Sequence, residues 1–434
     1  MLCFILQCGL ISCDVSYNSI TVRGRGLAPD NVEELSVDNK KSFLFGIVLG
    51  GLLMFIGVTM YNSHIHSRHW GNTIDPNSKV MEIYSLVSQF SILPFDKTEM
   101  LENMYRGFLD GVGDPYTQYF DREALQAFHV RTEGVYVGIG VMVSIDPTDR
   151  TITIAVPFQG APAAEAGLLP GDKIIAVEGI DVVGRPLEEV TGMIKGPEGT
   201  TVRLTILRPY ENSRFDVDVR RSRVEIPTVF QEMYLLEEGQ RVGYIRIEGF
   251  ERVTWPQFQV ALAELVADDM EALILDLRNN PGGLLDVVSN ITNLLLPEGI
   301  ITYTENVRGE RNYFYSTAEH LGLPIVLLVN ERSASASEVL SGAIQDTGTG
   351  IVVGAQTFGK GIVQNLLYLS DGSAIKLTVA KYFTPSGASI HGIGVVPNVH
   401  VPMEESLSRR IGQLELEEDV QLQAALVIMQ SILR

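Results

Sequence analysis

The chain has 434 residues, 45% apolar and 20% charged, which is enough for two or three folded domains and too apolar for a disordered protein. Its formal net charge of −20, with no Lys/Arg cluster, excludes nucleic acid as a partner, because phosphate binding needs basic patches. All three cysteines, Cys3, Cys8 and Cys13, fall in the first thirteen residues, so the remainder can hold neither a cysteine nucleophile nor a Cys-ligated zinc.

Residues 1–41 read as an unstructured cytoplasmic leader. The stretch Leu10–Cys13, "LISC", has the form of a lipoprotein cleavage box, but no Lys or Arg precedes it. Phe43 to Tyr61 is free of charge and, as a helix, spans roughly 28 Å, close to the hydrocarbon thickness of a bilayer. Residues 42–62 are therefore expected to be a single transmembrane anchor. Lys40 and Lys41 flank its first end, which puts the N-terminus in the cytoplasm and the rest outside. His64, His66 and His69 lie close together in residues 63–75 and read as a juxtamembrane linker, with no metal expected. Residues 76–130 repeat apolar positions at helical spacing until Gly113, Asp114 and Pro115 interrupt them.

Residues 131–222 change to short alternating strands with frequent glycine, such as "TITIAV" and "TVRLTILR". "VGIGV" and "AGLLPGDKIIAVEG" in this block resemble a bacterial PDZ domain. The backbone N–H groups of Gly138, Ile139, Gly140 and Val141 are expected to hold a terminal carboxylate. Leu187, Val190 and Ile194 share one face of a helical pattern and are expected to line the pocket for the last side chain of a peptide tail.

Residues 223–402 alternate apolar runs with helical segments. "VGYIRI", "ALILDLR", "PIVLLV" and "GIVVG" predict buried parallel strands, and residues 403–434 end in a helix. Three of these strands lead into unusual loops: "NNPGG", "NERSASASE" and "AQTFGKG". If the strands are parallel neighbours, the loops gather at the carboxyl edge of one sheet, where open α/β folds place ligands.

Ser335 and Glu338 have the spacing of a helix capping box, which explains them structurally. The same position suits a nucleophile, because free N–H groups at a helix start stabilise an oxyanion. Such a serine needs a base. His391 and His400 are candidates, without an evident Asp partner, and Lys360 is the alternative. A lysine base must fall from about 10.4 towards 7–8, a shift of about 4 kcal/mol that burial can supply.

The stretch Ser333 to Gln364, "SASASEVLSGAIQDTGTGIVVGAQTFGKGIVQ", resembles the catalytic core of the C-terminal processing peptidases, also called tail-specific proteases. "GDPYTQYF" at Gly113–Phe120, the PDZ block and "SIHGIGVVPNV" at Ser389–Val399 follow the same family order. The resemblance implies an α/β catalytic domain of the Clp protease/crotonase type, with an inserted PDZ domain and a helical N-terminal region. It implies Ser335 as nucleophile, Lys360 as base and Gln364 as the residue that orients the lysine. Ala336 and Gly282, with Gly283 as a further candidate, would supply the oxyanion N–H groups. Lys195 stands where the family often has an arginine linked to regulation, and it lacks the bidentate geometry of that residue. Asn398 stands where aspartate is common.

The expected protein is therefore a serine endopeptidase of the bacterial cytoplasmic membrane, single-pass, with its catalytic part outside. It would recognise protein C-termini, need no cofactor, and form homodimers through helices at both ends of its soluble part. Two alternatives remain: a non-catalytic PDZ adaptor, and a serine esterase using His391 or His400.

Overall fold

The computed structural model describes residues 11–16, 19–24, 54 and 76–434. Apart from Met54, the expected membrane span and the histidine-bearing linker lie outside the described residues. Among the described residues, no helix is long and apolar enough to cross a membrane. The chain divides into two units, residues 1–95 and 96–434. In the first, Ile11–Ser16 pairs antiparallel with Ser19–Gly24, a hairpin within the leader that the sequence led us to expect as unstructured. Its helix Pro76–Phe90 leaves Met81, Phe90 and the following Ile92 and Leu93 exposed.

The second unit opens with two helices, Lys97–Asp110 and Arg122–Glu133, each started by an aspartate. Asp96 accepts hydrogen bonds from the Thr98 and Glu99 N–H groups, and Asp121 from that of Ala124. Gly134 ends the second helix in the left-handed conformation, and a Cβ there would meet Val253 Cγ2 at 2.4 Å. The chain then enters the strand Val135–Gly138, which pairs antiparallel with Ser222–Glu225. This two-strand ribbon closes off the β-rich insert between them.

Within the insert, strands run in the spatial order Ser213–Arg220, Thr201–Arg208, Lys173–Val177, Ile152–Pro157, Val141–Ile145. Period-two alternation sends Val202, Leu204 and Ile206 inward, where they meet Ile152, Ile154, Ile174 and the helix Leu187–Ile194. Val141–Ile145 is left as an edge strand, its outer side unpaired.

The mostly parallel sheet has the order Val229–Leu235, Arg241–Ile247, Ala272–Asp276, Ile325–Val329, Gly350–Gly354, Val399–His400. Only the first pairing is antiparallel; the four predicted strands are parallel neighbours in chain order. Both faces are buried, which explains their continuous apolar runs. Leu273, Leu275 and Leu327 pack on one side against the helices Thr254–Ala267, Leu285–Leu295 and Ala336–Thr347. Ile274, Val326 and Leu328 pack on the other against Leu422, Ala425 and Met429 of the C-terminal helix Val420–Leu433. A second sheet, ordered Arg311–Ser316, Gly299–Asn306, Ala374–Phe383, Ile362–Tyr368, adds Gln118–Phe120 to its third strand.

Candidate active site

The three loops do meet at the carboxyl edge of the parallel sheet, stitched by their own backbones. Ala334 N–H donates to the Asn280 carbonyl at 3.0 Å, and Phe358 N–H to the Ser333 carbonyl at 3.0 Å. Ser333 and Ser337 are consumed in this stitching, their hydroxyls donating to the carbonyls of Leu277 and Asn280. Ser335 remains at the start of the helix Ala336–Thr347, with φ 55° and ψ −111°. That conformation costs a residue with a Cβ about 1–3 kcal/mol, a strain found where a side chain is aimed at a site.

Glu338 holds this arrangement. It is fully buried, and its carboxylate accepts four hydrogen bonds that fill its acceptor sites. Oε2 takes the N–H of Ser335 at 2.9 Å and the N–H of Lys360 at 2.8 Å. Oε1 takes the N–H of Gly359 at 2.7 Å and the Thr357 hydroxyl at 2.6 Å. The glutamate of the capping box thus joins the serine loop to the lysine loop. The segment Ser389–Val399 closes over the lysine loop, with Gly392 N–H on the Gly359 carbonyl and Val395 N–H on the Thr357 hydroxyl.

Ser335, Lys360, Gly282, Gly283 and Gln364 line one cavity of about 520 Å³. Burial is the main cause holding the Lys360 ammonium below its ordinary pKa; the nearby Arg131 adds to it, against the pull of Asp114 and Glu338. No hydrogen bond joins Ser335 Oγ to Lys360 Nζ. The ammonium instead lies 4.7 Å from the centroid of the Tyr116 ring. Catalytic hydrogen bonds commonly tighten only when substrate binds. Gln364 is not on Lys360 either: its amide donates to the Tyr116 carbonyl, so it supports the ring beneath the lysine. Tyr116 is set in turn by Asp114, which accepts from the Tyr116 N–H and from the Thr117 and Thr378 hydroxyls.

The glycines are required by space. A Cβ on Gly282, where φ is 100°, would lie 2.8 Å from Ser335 Cβ and 2.7 Å from the Ala334 carbonyl oxygen. One on Gly283 would lie 2.4 Å from the Phe250 carbonyl oxygen. Gly282 N–H is already given to the Asn280 carboxamide at 2.8 Å. The N–H groups of Gly283 and Ala336 have no partner among the described residues, so they are the better oxyanion candidates.

Two groups that the sequence did not reveal brace this edge. Asn280 ties the glycine loop to the Ile247 carbonyl. Arg278, fully buried, forks onto Asp276 and Asp419, while Tyr244 donates to Asp276. Asp419 also caps the C-terminal helix through the Leu422 N–H. The D-x-R spacing was visible, but its third member lies far along the chain. His391 lines a different cavity, with Asp114, and His400 lies exposed on the sheet's edge strand; neither lines the Ser335 cavity.

In the insert, a groove of about 360 Å³ runs between the edge strand and the helix Leu187–Ile194. Gly138, Ile139, Val141, Ile194 and Lys195 line it, together with Met142 and Thr191. Val190 does not: it is fully buried in the insert's core, and Leu187 packs against that core too. Leu187 and Val190 thus point inward, while Ile194 at the end of the same face reaches both the core and the groove. Gly140 adopts φ 78°, and a Cβ there would meet Ala161 at 2.3 Å. Tyr136 lies against Gly138, and its phenol is pushed up by burial, while the backbone N–H groups of Val141 and Gly140 that face it act the other way.

Known proteins resemble this chain in both of these regions. Residues 241–401 match the family model described as peptidase family S41, and residues 153–208 match a PDZ domain model. The chain is 38% identical over 317 residues to the carboxyl-terminal-processing protease of Synechocystis sp., covering 73% of this chain and 74% of that one. It is 33% identical over 346 residues to the carboxy-terminal processing protease CtpB of Bacillus subtilis, covering 79% and 71%. A solved photosystem II D1 C-terminal processing protease is 31% identical, with 73% and 86% covered and a TM-score of 0.43.

Proposed function

The chain belongs to peptidase family S41, among the carboxyl-terminal processing serine proteases that carry a PDZ domain, and on that premise we propose how it works. Ser335 is the nucleophile and Lys360 its base. In its neutral form Lys360 Nζ takes the Ser335 hydroxyl proton as Oγ attacks the scissile carbonyl, and the oxyanion is received by the Ala336 and Gly283 N–H groups. The proton passes to the departing amine, leaving an acyl-serine. Lys360 then takes a proton from the water that attacks the ester and gives it to Ser335 Oγ as that bond breaks, releasing the new carboxyl terminus and restoring the free serine and neutral lysine.

The observation that carries this reading is the single buried carboxylate of Glu338, which holds the Ser335 and Lys360 backbones through one oxygen. Substrates are polypeptides whose C-terminus enters the groove beside Val141–Ile145 as an added strand, its carboxylate on the Gly138–Val141 loop. The reading includes a membrane anchor at residues 42–62, with the peptidase outside, on the strength of their apolar length. It includes self-association through terminal helices, supported by the exposed Phe90, Leu93 and Phe108.

Peptide hydrolysis by the wild type, Ser335→Ala and Lys360→Ala tests the dyad. Loss of turnover in both variants, each still folded, is expected; equal activity in all three sinks it. Activity surviving Lys360→Ala but lost in His391→Ala would favour the histidine alternative, although His391 faces the other cavity.

A further inference from the structure

The cavity around Ser335 has a charge pattern that the dyad does not explain. Besides Lys360 it is lined by Arg131 and Lys376, against one carboxylate, Glu251. The chain is strongly acidic, and several of its other basic side chains are ion-paired, as Arg208 is with Asp172 and Lys173 with Asp146. Among the described residues, neither Arg131 nor Lys376 forms an ion pair or a side-chain hydrogen bond. Glu251 makes no ion pair with either: its carboxylate accepts the Thr254 hydroxyl, and the attraction of Arg131 reaches it without direct contact.

Lys376 sits on the strand Ala374–Phe383, opposite Leu366 and Gln118. Its ammonium is half-buried over the Phe120 and Phe128 rings, 5.5 and 5.8 Å from their centroids. These rings stack on each other, 5.1 Å apart, and form a fixed apolar wall. Cation–π attraction offsets part of the desolvation of this ammonium. Burial first, then repulsion from Lys360 and Arg131, lower its pKa, and the attraction of Asp114 only partly opposes them. Arg131 comes from the last turn of the helix Arg122–Glu133 and leaves its guanidinium exposed at the cavity. Its charge reaches Lys360, Lys376 and Glu251 alike, which places it among them. Two unmatched cations at the rim of a cleft, one held against an aromatic wall, form a receptor for an anion from outside.

We infer that Arg131 and Lys376 form a subsite for a carboxylate of the substrate chain close to the scissile bond, separate from the PDZ groove. The inference rests on the peptidase reading of the cavity. The carboxylate is either an Asp or Glu side chain or the α-carboxylate of a cleavage site near the terminus. Both have the same chemistry, and peptides separate them.

The test uses the full chain and peptides with amidated C-termini, with Glu exchanged for Gln at each position around the bond. A second pair differs only in a free or amidated terminus near the bond. Wild type, Arg131→Gln, Lys376→Met and, as a control outside the cavity, Lys97→Met are compared by kcat and KM. Binding of the same peptides to Ser335→Ala forms carrying each substitution is read by fluorescence anisotropy. At one position the wild type is expected to prefer Glu over Gln by about fivefold, mainly in KM, the size of a half-exposed charge pair. The preference falls towards unity in both cavity variants and survives in Lys97→Met. If the terminal pair alone shows a Lys376-dependent preference, the source is the α-carboxylate. Equal binding and turnover of acidic and neutral peptides, or a preference that survives both cavity variants, overturns the subsite. Absence of any hydrolysis with a Lys376-dependent preference in binding overturns the peptidase reading instead, and leaves the subsite standing.

Discussion

Replacing Glu338 with Gln perturbs the join between the two catalytic loops while keeping the side chain's shape. The amide has one acceptor oxygen in place of two. If its NH2 takes the place of Oε2, it faces the N–H groups of Ser335 and Lys360, neither of which can accept. If it takes the place of Oε1, it faces the Thr357 hydroxyl, which can turn to accept, and the Gly359 N–H, which cannot. The second orientation costs less but leaves the Gly359 N–H and the Thr357 hydroxyl proton without their acceptor, about 1–3 kcal/mol each. The bonds from Ser335 and Lys360 also lose their charge assistance, about 1 kcal/mol each, for a total of about 4–8 kcal/mol. Urea unfolding should show a lower midpoint at unchanged slope. Turnover should fall further than stability explains, by about 10²-fold in kcat/KM, because the strained Ser335 turn is no longer registered against Lys360. A variant within about 1 kcal/mol of wild type and fully active would refute the assignment of Glu338 as the link between the loops.

Arg278→Leu should cost about 3–5 kcal/mol in urea unfolding, because Asp276 and Asp419 are left as uncompensated buried charges; a loss below about 1 kcal/mol would contradict that. Gly282→Ala should destabilise by about 1–3 kcal/mol through overpacking against Ser335, and should remove peptidase activity even in the folded fraction. The rate should depend on pH through Lys360, which must be neutral to act. kcat/KM should rise with pH through the lysine's lowered pKa and level off before the ordinary value of 10.5, and Arg131→Gln should move the rise upward. Between those two values the unfolded chain binds the extra proton, so this lysine's contribution to stability also improves as pH rises. A rate that climbs only at 10.5 would show that burial does not tune the base.

Much of this was written locally. Strands such as Ala272–Asp276 and Ile325–Val329 are buried on both faces, so their apolar runs announce parallel neighbours, and the loops after them follow from that topology. The Ser335–Glu338 spacing was equally plain, but it shows only the helix cap. The further reach of Glu338 to Gly359 and Lys360 depends on the loop of the next strand. Tyr116 was legible as part of a landmark and not as the ring beneath Lys360, because no periodicity links positions so far apart. Val190 failed for the opposite reason. An apolar stripe on a short helix most often faces the core, as Leu187 and Val190 do here, and only its last member, Ile194, also reaches the groove, beside Thr191.

The helix Arg122–Glu133 ends in a turn whose residues are divided between two cavities. Val130 lines the groove of the insert, while Phe128 and Arg131 line the cavity of Ser335. Just beyond, Gly134 passes the chain into the ribbon that leads to the Gly138–Val141 loop. Two positions separate the side chain that lines the groove from the ring that forms the wall under Lys376, so a single turn of helix is shared masonry between the two chambers.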